Sequence, residues 1–170
     1  SATKLIDRWE IGKMTLQLYD LTQQKVTRTI PWPRGEEREG VDIRFSPDGQ
    51  KLAASIGDPS DIWIYEVERG VRTRLTSHGL GENSPIWSPD SRRVLYDTDR
   101  RTITDIFEMD VDGSGIEKTV LATEEFESPS DLSMDGRFLA YNHSGSRNTR
   151  QSDVFILPLD GDRKLFPFQA

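Results

Sequence analysis

The sequence predicts an all-β fold built from repeated four-stranded antiparallel sheets, and three observations lead to that prediction. A strand–turn–strand phrase recurs as FSPDGQKLAASI (45–56), WSPDSRRVLYDT (87–98) and LSMDGRFLAYNH (132–143). A second phrase follows each copy, as DIWIYEVERG (61–70), DIFEMDVDGSG (105–115) and DVFILPLDGD (153–162). Both faces of the second phrase are apolar, because Ile62 and Ile64 alternate with Trp63 and Tyr65. Antiparallel sheets that are covered on both faces and recur about every 40 to 45 residues are typical of the blades of a β-propeller.

Residue types predict the turn inside the first phrase. Ser46-Pro47-Asp48-Gly49 places proline where a type I turn needs a φ near −65°, and glycine where the chain often needs a positive φ. The second copy, Ser88-Pro89-Asp90-Ser91, keeps the proline and loses the glycine, whereas Ser133-Met134-Asp135-Gly136 does the reverse. Proline cannot donate to a sheet ladder, so we expect Pro158 at the outer end of its strand.

The predicted strands give a single propeller domain or fragment over residues 1–170, with about four blades. We name the strands of each blade A to D and expect the A strands of blades 3 and 4 at 84–88 and 129–133. A fourth copy of the second phrase, TLQLYDLTQQ (15–24), lacks an A strand, so the first blade is partial. The approximate blades are 3–30 (partial), 41–76, 84–122 and 129–168. A β-sandwich would explain short strands, but it would not explain two phrases repeating with a long period.

The blades are not expected to close a ring by themselves, because propellers typically have four to eight complete blades. Three possibilities stay open: a segment of a larger propeller, which we favour, a ring completed by a second copy, and a small four-bladed ring. An open row leaves apolar sheet faces at its ends, and such surface needs a partner. We therefore expect a homo-oligomer through the open end blades as one outcome.

Composition excludes several classes of function. The net charge of −7 disfavours nucleic acid as a partner, because binding to phosphates gains mainly from cations. Without cysteine the chain has no disulfide, no thiol nucleophile and no thiolate metal site. The longest clean apolar run is VFILPL (154–159), far below the roughly 20 residues that span a bilayer, so we expect no membrane contact by this segment.

Recognition is expected on the face that carries the B–C and D–A connections, which we call the loop-rich face. These connections are longer and more varied than the hairpins: PWPRGEEREG (31–40), SHGLGENS (77–84), DRRTIT (99–104) and HSGSRNTRQS (143–152). Variable loops on a rigid frame often carry binding groups. The candidate binding residues for a partner or ligand are Trp32, His78, Glu82, Asn83, Arg100, Arg101, His143, Arg147 and Arg150. The alternative is structural, with the charged residues and histidines on a solvated loop face and Trp32 packed between blades.

No catalytic or metal-binding constellation is predicted. A hydrolytic triad on a nucleophile elbow needs Gly-x-Ser-x-Gly, which the sequence lacks. DVDGSGIEK (110–118) starts like a calcium loop, but Leu121 stands where the twelfth-position glutamate belongs, so a hairpin turn is favoured. His78 and His143 would need further ligands to hold a metal, and two exposed loop histidines are the favoured interpretation. We therefore expect no metal and no cofactor.

The (F/W)SPDG turn, the following DIWIYEVERGVRTRLT and the next WSPD resemble the TolB-type β-propeller repeat, a relative of the WD repeat. The resemblance covers roughly residues 13–168. The closing run SDVFILPLDGDRKLFPF is similar to the propeller sensor regions attached to bacterial eukaryotic-like serine/threonine kinases, although the sequence contains no kinase motif. The resemblance implies a bacterial binding or sensor domain. It favours a periplasmic or extracytoplasmic location and leaves a cytoplasmic one open.

The predicted function is a non-catalytic interaction or sensor module that binds a protein, peptide or small ligand through the loop-rich face. The first alternative is the propeller portion of an enzyme, either gating a prolyl oligopeptidase-like hydrolase or holding an active site in the channel. Asp42 and Asp131 are the visible acids of the expected A strands, and they are too few to support a channel site. The second alternative is a self-assembling set of blades that acts as a structural scaffold.

Overall fold

The computed structural model describes residues 3–10, 13–31, 42–99, 103–145, 153–161, 163 and 166–167. Within those residues the regular structure consists of fifteen β-strands in four antiparallel sheets, and it contains no helix of the length and apolarity that a membrane span requires. The chain divides into two compact units, residues 1–40 and 41–170.

The first unit is a three-stranded meander. Its strands are β1 (Thr3–Glu10), β2 (Lys13–Asp20) and β3 (Lys25–Pro31). The Asp20 carboxylate accepts the N–H groups of Thr22 at 2.8 Å and Gln23 at 3.0 Å, which closes the turn between β2 and β3. Leu16, Leu18 and Ile30 form the buried face of this sheet. This unit corresponds to the partial first blade that the sequence predicts.

The second unit contains three four-stranded blades, each a meander in chain order. Blade 2 comprises β4 (Ile43–Phe45), β5 (Lys51–Gly57), β6 (Ser60–Glu66) and β7 (Arg72–Arg74). Blade 3 comprises β8 (Glu82–Trp87), β9 (Arg93–Thr98), β10 (Asp105–Asp110) and β11 (Lys118–Leu121). Blade 4 comprises β12 (Phe126–Leu132), β13 (Phe138–Ser144), β14 (Asp153–Pro158) and β15 (Phe166–Pro167). The all-β blade architecture is confirmed, but the A strands of blades 3 and 4 begin at residues 82 and 126, earlier than predicted.

The repeated turn is built by local side-chain hydrogen bonds. The Ser46 hydroxyl donates to Asp48 at 2.6 Å and accepts the N–H of Lys51 at 2.9 Å. The same serine–aspartate bond closes the turns that begin at Ser88, at 2.5 Å, and at Ser133, at 2.6 Å. The serine hydroxyl is the largest of the influences that lower the pKa of the aspartate in each turn below its ordinary value. Gly49 has a φ of +70°, as its place in the turn predicts.

Directional hydrogen bonds join the neighbouring blades of the second unit. Ser91 stands where the other two turns have glycine, with a φ of +59°, and its hydroxyl accepts the Asp48 N–H at 3.1 Å. The Trp87 indole donates to the carbonyl of Arg44 at 3.0 Å. The Ser128 hydroxyl lies 3.0 Å from that of Ser84. Each of these bonds joins residues 43 or 44 positions apart, about one repeat length.

The hydrophobic core of the second unit lies in the seams between blades. The seam between blades 2 and 3 buries Ala53, Ile62, Ile64, Trp87, Val94, Tyr96 and Phe107. The seam between blades 3 and 4 buries Ile86, Leu95, Ile106, Val120, Leu132, Leu139, Tyr141 and Leu157. Blade 3 is therefore covered on both faces, which confirms the interpretation of the two apolar strand faces.

Pro158 occupies the position that its chemistry requires. It is the last residue of β14, where it lies opposite Phe138 on β13. On the other side of β14, β15 pairs with Phe155 and Ile156, before the proline is reached. The missing N–H of Pro158 therefore interrupts no ladder bond to β15, and the prediction is confirmed.

Candidate functional site

The loop-rich face of the second unit is formed by the connections β5–β6, β7–β8, β9–β10, β11–β12 and β13–β14. The tight hairpins with the Ser-x-Asp turns lie at the opposite end of the sheets, which we call the hairpin face. Antiparallel meanders place alternate connections at opposite ends, so the two faces follow from the strand order.

The structure corrects the location of three candidate residues, which the sequence placed in loops. Glu82 and Asn83 begin β8, opposite Thr98 and Asp97 on β9, and His143 lies within β13. Glu82 is fully buried. These side chains are fixed by ladder pairing rather than carried on loops, although they remain at the loop-rich end of their strands.

Of the other six candidate residues, His78 alone lies within the part of the chain that the structure describes. His78 lies in the connection between β7 and β8, as predicted, with its side chain 41% exposed. Trp32, Arg100, Arg101, Arg147 and Arg150 lie outside the described residues. Their roles in recognition stay predictions.

A buried glutamate closes the loop-rich end of the seam between blades 2 and 3. Glu82 Oε2 lies 3.4 Å from the Thr76 hydroxyl, and Glu82 Oε1 lies 3.6 Å from His78 Nδ1. The Thr76 hydroxyl oxygen also accepts the backbone N–H of Ile62 at 2.9 Å. Beside it, the Arg74 guanidinium donates to the buried Asp61 at 2.5 Å. This end of the seam is a polar network under one partly exposed histidine.

Asn83, next to Glu82 on β8, connects β8 to β5 and β6 of blade 2. Its side-chain oxygen accepts hydroxyl hydrogen bonds from Ser60 at 2.9 Å and Ser55 at 3.2 Å, and its amide nitrogen donates to the carbonyl of Gly81 at 3.2 Å. The candidate Asn83 is thus engaged in a structural network that connects blades 2 and 3.

A second glutamate occupies the corresponding place between blades 3 and 4. Glu127 is fully buried, its Oε1 accepts a hydrogen bond from the Thr123 hydroxyl, and its backbone N–H donates to the carbonyl of Thr104 at 3.1 Å. His143 reaches it from β13, with Nδ1 at 3.7 Å from Glu127 Oε1. The other ring nitrogen, Nε2, lies 2.5 Å from Glu125 Oε2, on a carboxylate that is 46% exposed. His143 is therefore held between an outer and an inner carboxylate.

The electrostatics of this second cluster follow from burial. Burial raises the pKa of Glu127 above its ordinary value, and the charges of Asp105 and Glu125 act in the same direction. The Thr123 hydroxyl and His143 oppose that shift. Burial, with a contribution from the Glu127 charge, raises the pKa of Tyr141 to about 12. Among the described residues, Glu127 Oε2 and His143 Nδ1 have no hydrogen-bond partner.

The two histidines do not converge on one glutamate. His78 faces Glu82 in one seam, and His143 faces Glu125 and Glu127 in the next. Within the described ranges, no group of three or more histidine or acidic residues is arranged to hold a metal ion. The arrangement can instead hold a hydrogen-bonding or cationic group of a partner against a fixed carboxylate.

Sequence reasoning placed Glu82 in a loop and missed Glu127 altogether, because it counted Asp42 and Asp131 as the visible acids of the A strands. In the structure Asp42 precedes β4, and Asp131 is exposed near the end of β12. A signal was present: Glu82 and Glu127 each lie six residues before the serine that opens the next turn.

Comparisons with known proteins agree with this architecture. Residues 36–164 match the PD40 family, described as TolB beta propeller domain. An uncharacterized protein of Agrobacterium fabrum is 32% identical over 166 residues, which cover 92% of this chain and 53% of that protein. An uncharacterized peptidase of Bacillus subtilis is 37% identical over 76 residues, covering 43% of this chain and 11% of the peptidase.

The fold also matches a solved structure. The crystal structure of TolB from Acinetobacter baumannii superimposes with a TM-score of 0.79 at 20% identity, over 97% of this chain and 40% of that one. The chain thus spans about half the length of the Agrobacterium relative and less of the others. The resemblance to kinase-attached sensor regions stays a prediction. With a family match over most of its length and blades of the expected build, the chain belongs to the TolB β-propeller family.

Proposed function

We propose that the chain is a non-catalytic interaction module that binds a protein or peptide partner through its loop-rich face. The observation that carries the proposal is the position of His143, between the exposed carboxylate of Glu125 and the buried carboxylate of Glu127. The three groups sit at the end of a packed seam, so their positions are set by sheet pairing and core contacts. Fixed polar groups at the rim of a rigid frame lose little conformational freedom on binding.

The chemistry of the cluster favours a cationic side chain on the partner. A buried carboxylate oxygen without a hydrogen bond is costly, and a donor that reaches it recovers part of that cost. Glu125 presents a carboxylate to solvent directly outside the histidine. A lysine or arginine of a bound peptide can therefore pair with Glu125 and add positive potential over Glu127.

A selection from a phage-displayed random-peptide library tests this function, with the purified chain as bait. Binding of the selected synthetic peptides is then measured by fluorescence anisotropy. We expect peptides that contain lysine or arginine, and a loss of affinity of about tenfold or more when Glu125→Gln and His143→Asn are combined. Matched controls are Ile116→Ser and Met134→Ser, which alter residues 85% and 86% exposed in hairpins at the other end of the sheets. Peptides that bind the double variant as well as the parent chain would contradict the proposal.

A second candidate is the propeller portion of a peptidase, and the identity to part of the Bacillus subtilis peptidase favours it. In that case the reading frame that contains this segment encodes a hydrolase domain with a Gly-x-Ser-x-Gly elbow. Sequencing that frame, followed by an assay of the whole protein on a peptidyl p-nitroanilide, decides the matter. A reading frame without a hydrolase domain would exclude the peptidase function and would remain compatible with the interaction module.

A further inference from the structure

The seam between blades 3 and 4 ends at the hairpin face in a cleft with charged walls. Its volume is about 490 Å³, within the range of small-ligand pockets. On blade 3, Arg93 and Glu108 lie on the same side of their strands as Leu95, which is buried in this seam. On blade 4, Arg137 alternates in the same way with the buried Leu139, so it faces the cleft from the other wall. Both walls belong to four-stranded blades of this chain.

Glu108 stands where the preceding blade has a core residue. The phrases DIWI (61–64) and DIFE (105–108) align, so Glu108 corresponds to Ile64, which is buried in the seam between blades 2 and 3. Its partner across the ladder differs as well, because Ile64 pairs with Thr73 whereas Glu108 pairs with Lys118. In blade 3 an ionic pair therefore replaces an apolar residue and its neighbour. A charged group at a packing position is weak evidence for stability, and such departures are expected at functional sites.

The carboxylates of this cleft are already engaged by cations of the protein. Glu108 Oε2 accepts a hydrogen bond from Arg93 at 2.8 Å, and Glu108 Oε1 lies 3.9 Å from Lys118 Nζ. Asp160 Oδ2 accepts a hydrogen bond from Arg137 Nε at 3.0 Å. The two terminal nitrogens of the Arg137 guanidinium, whose side chain is 59% exposed, remain available to a ligand in the cleft.

The cleft carries an excess of positive charge in an acidic protein. Arg163 lines it as well, so the described lining residues comprise four cations and two carboxylates, in a chain with a net charge of −7. A second cleft lies at the same end of the seam between blades 2 and 3, and two cations balance two carboxylates there. Its charged lining residues are Lys51, Arg92, Asp110 and Asp112. Of the two clefts, the one between blades 3 and 4 is therefore the one that attracts an anion.

The chemistry of the cleft fits a phosphate monoester. Two excess positive charges match the roughly −1.5 to −2 that a phosphate monoester carries at pH 7, whereas a carboxylate carries a single charge. The fork of donors on an arginine matches phosphate oxygens in a bidentate contact. Val120, which is 9% exposed, and Leu159, which packs against the same core, add an apolar wall for the organic part of a ligand.

We propose that the hairpin-face cleft between blades 3 and 4 binds a small organic phosphate. Arg137, Lys118 and Arg163 hold the phosphate group, and the organic part packs on the apolar wall. The cleft lies at the opposite end of the sheets from His143, so this binding goes beyond the function proposed above and does not depend on it.

Isothermal titration calorimetry on the full chain tests the site, with phenyl phosphate as the probe. We expect a Kd below about 1 mM for phenyl phosphate and at least about tenfold weaker binding of benzoate, which carries one charge. Arg137→Gln should weaken the binding of phenyl phosphate by about tenfold. The matched control is Arg92→Gln, which removes the same charge from the same position of the preceding turn and should leave the affinity unchanged. Circular dichroism checks that both variants keep their β structure.

A variant that should gain affinity separates a binding role from a structural one. Asp160→Asn releases Arg137 from its carboxylate, so phenyl phosphate should bind about threefold or more tightly. Asp112→Asn changes the same place in the preceding hairpin and should have no effect. The proposal is overturned if phenyl phosphate does not bind at about 10 mM, if benzoate binds equally well, or if Asp160→Asn weakens binding. Equal losses in Arg137→Gln and Arg92→Gln would also overturn it, because they would indicate a general attraction to the surface.

Discussion

Replacing Ile106 by alanine should destabilise the second unit strongly. Ile106 is 0% exposed and lies in the seam between blades 3 and 4, in one cluster with Leu139 and Leu157. Two packed sheets hold the side chains around it, so the seam cannot collapse fully into the space left behind. Truncation of a fully buried isoleucine in such a place costs about 2–5 kcal/mol. Ile106→Val, which removes one methyl group, should cost about 0.5–1.5 kcal/mol.

Val154→Ala is the matched comparison, because Val154 occupies the same place in blade 4 and is 40% exposed. Its truncation removes fewer buried carbons and should cost about 1 kcal/mol or less. Urea denaturation followed by circular dichroism measures both changes. Equal losses for Ile106→Ala and Val154→Ala would refute the assignment of Ile106 to a seam and of Val154 to an open face. A shift in the urea midpoint with an unchanged slope would show that stability alone has changed.

Three further predictions concern the polar groups. A carboxyl group whose pKa is raised in the folded state makes the fold less stable as the pH rises from the ordinary pKa, 4.5 for glutamate, through the raised pKa. Glu127→Gln should remove that loss, so the free energy of unfolding at pH 7 should be equal to or higher than that of the parent chain. Urea midpoints from pH 4 to 8 measure the effect. Asp48, Asp90 and Asp135 have lowered folded pKa values, so their stabilising effect is complete above 3.8 and is lost as pH falls through the folded values. The urea concentration at the unfolding midpoint should therefore decrease when the pH falls below about 4. The decrease should be less steep in a variant in which all three aspartates are replaced by asparagine. Ser91→Ala and Ser91→Gly both lose the bond to Asp48, but alanine keeps a Cβ at a positive φ. Thermal melts should therefore show Ser91→Ala less stable than Ser91→Gly by about 1 kcal/mol, and equal melting temperatures would contradict this.

The sequence predicted the repeated turns because their chemistry is local. Ser46 bonds to Asp48 and Lys51, so the residues that make the turn stand within six positions of one another. The alternation of Ile62 and Ile64 with Trp63 and Tyr65 similarly predicted a strand covered on both faces. Local hydrogen bonding and period-two patterning were therefore sufficient for the fold of the blades.

The polar seam ends could not be predicted in the same way, because they depend on contacts between blades. His143 was expected in a loop, but pairing with Glu127 and Asp153 extends β13 through Ser144. Glu82 is buried against blade 2, where the Ser55 hydroxyl, 27 positions earlier in the chain, donates to the Glu82 carbonyl at 3.0 Å. Where a side chain meets another repeat, its surroundings are set by the stacking of sheets rather than by its own neighbours in the sequence.

The hydrogen bonds between blades at Trp87, Ser91 and Ser128 have a consequence for the geometry of the row. Aliphatic packing tolerates sliding and tilting of one sheet over another, whereas a hydrogen bond weakens steeply when its angle changes. These bonds therefore restrict the angle between successive sheets. The angles between neighbouring blades add up along the chain. A substitution at a residue such as Ser91 would therefore change the angle per blade, and hence the number of blades that can close a ring.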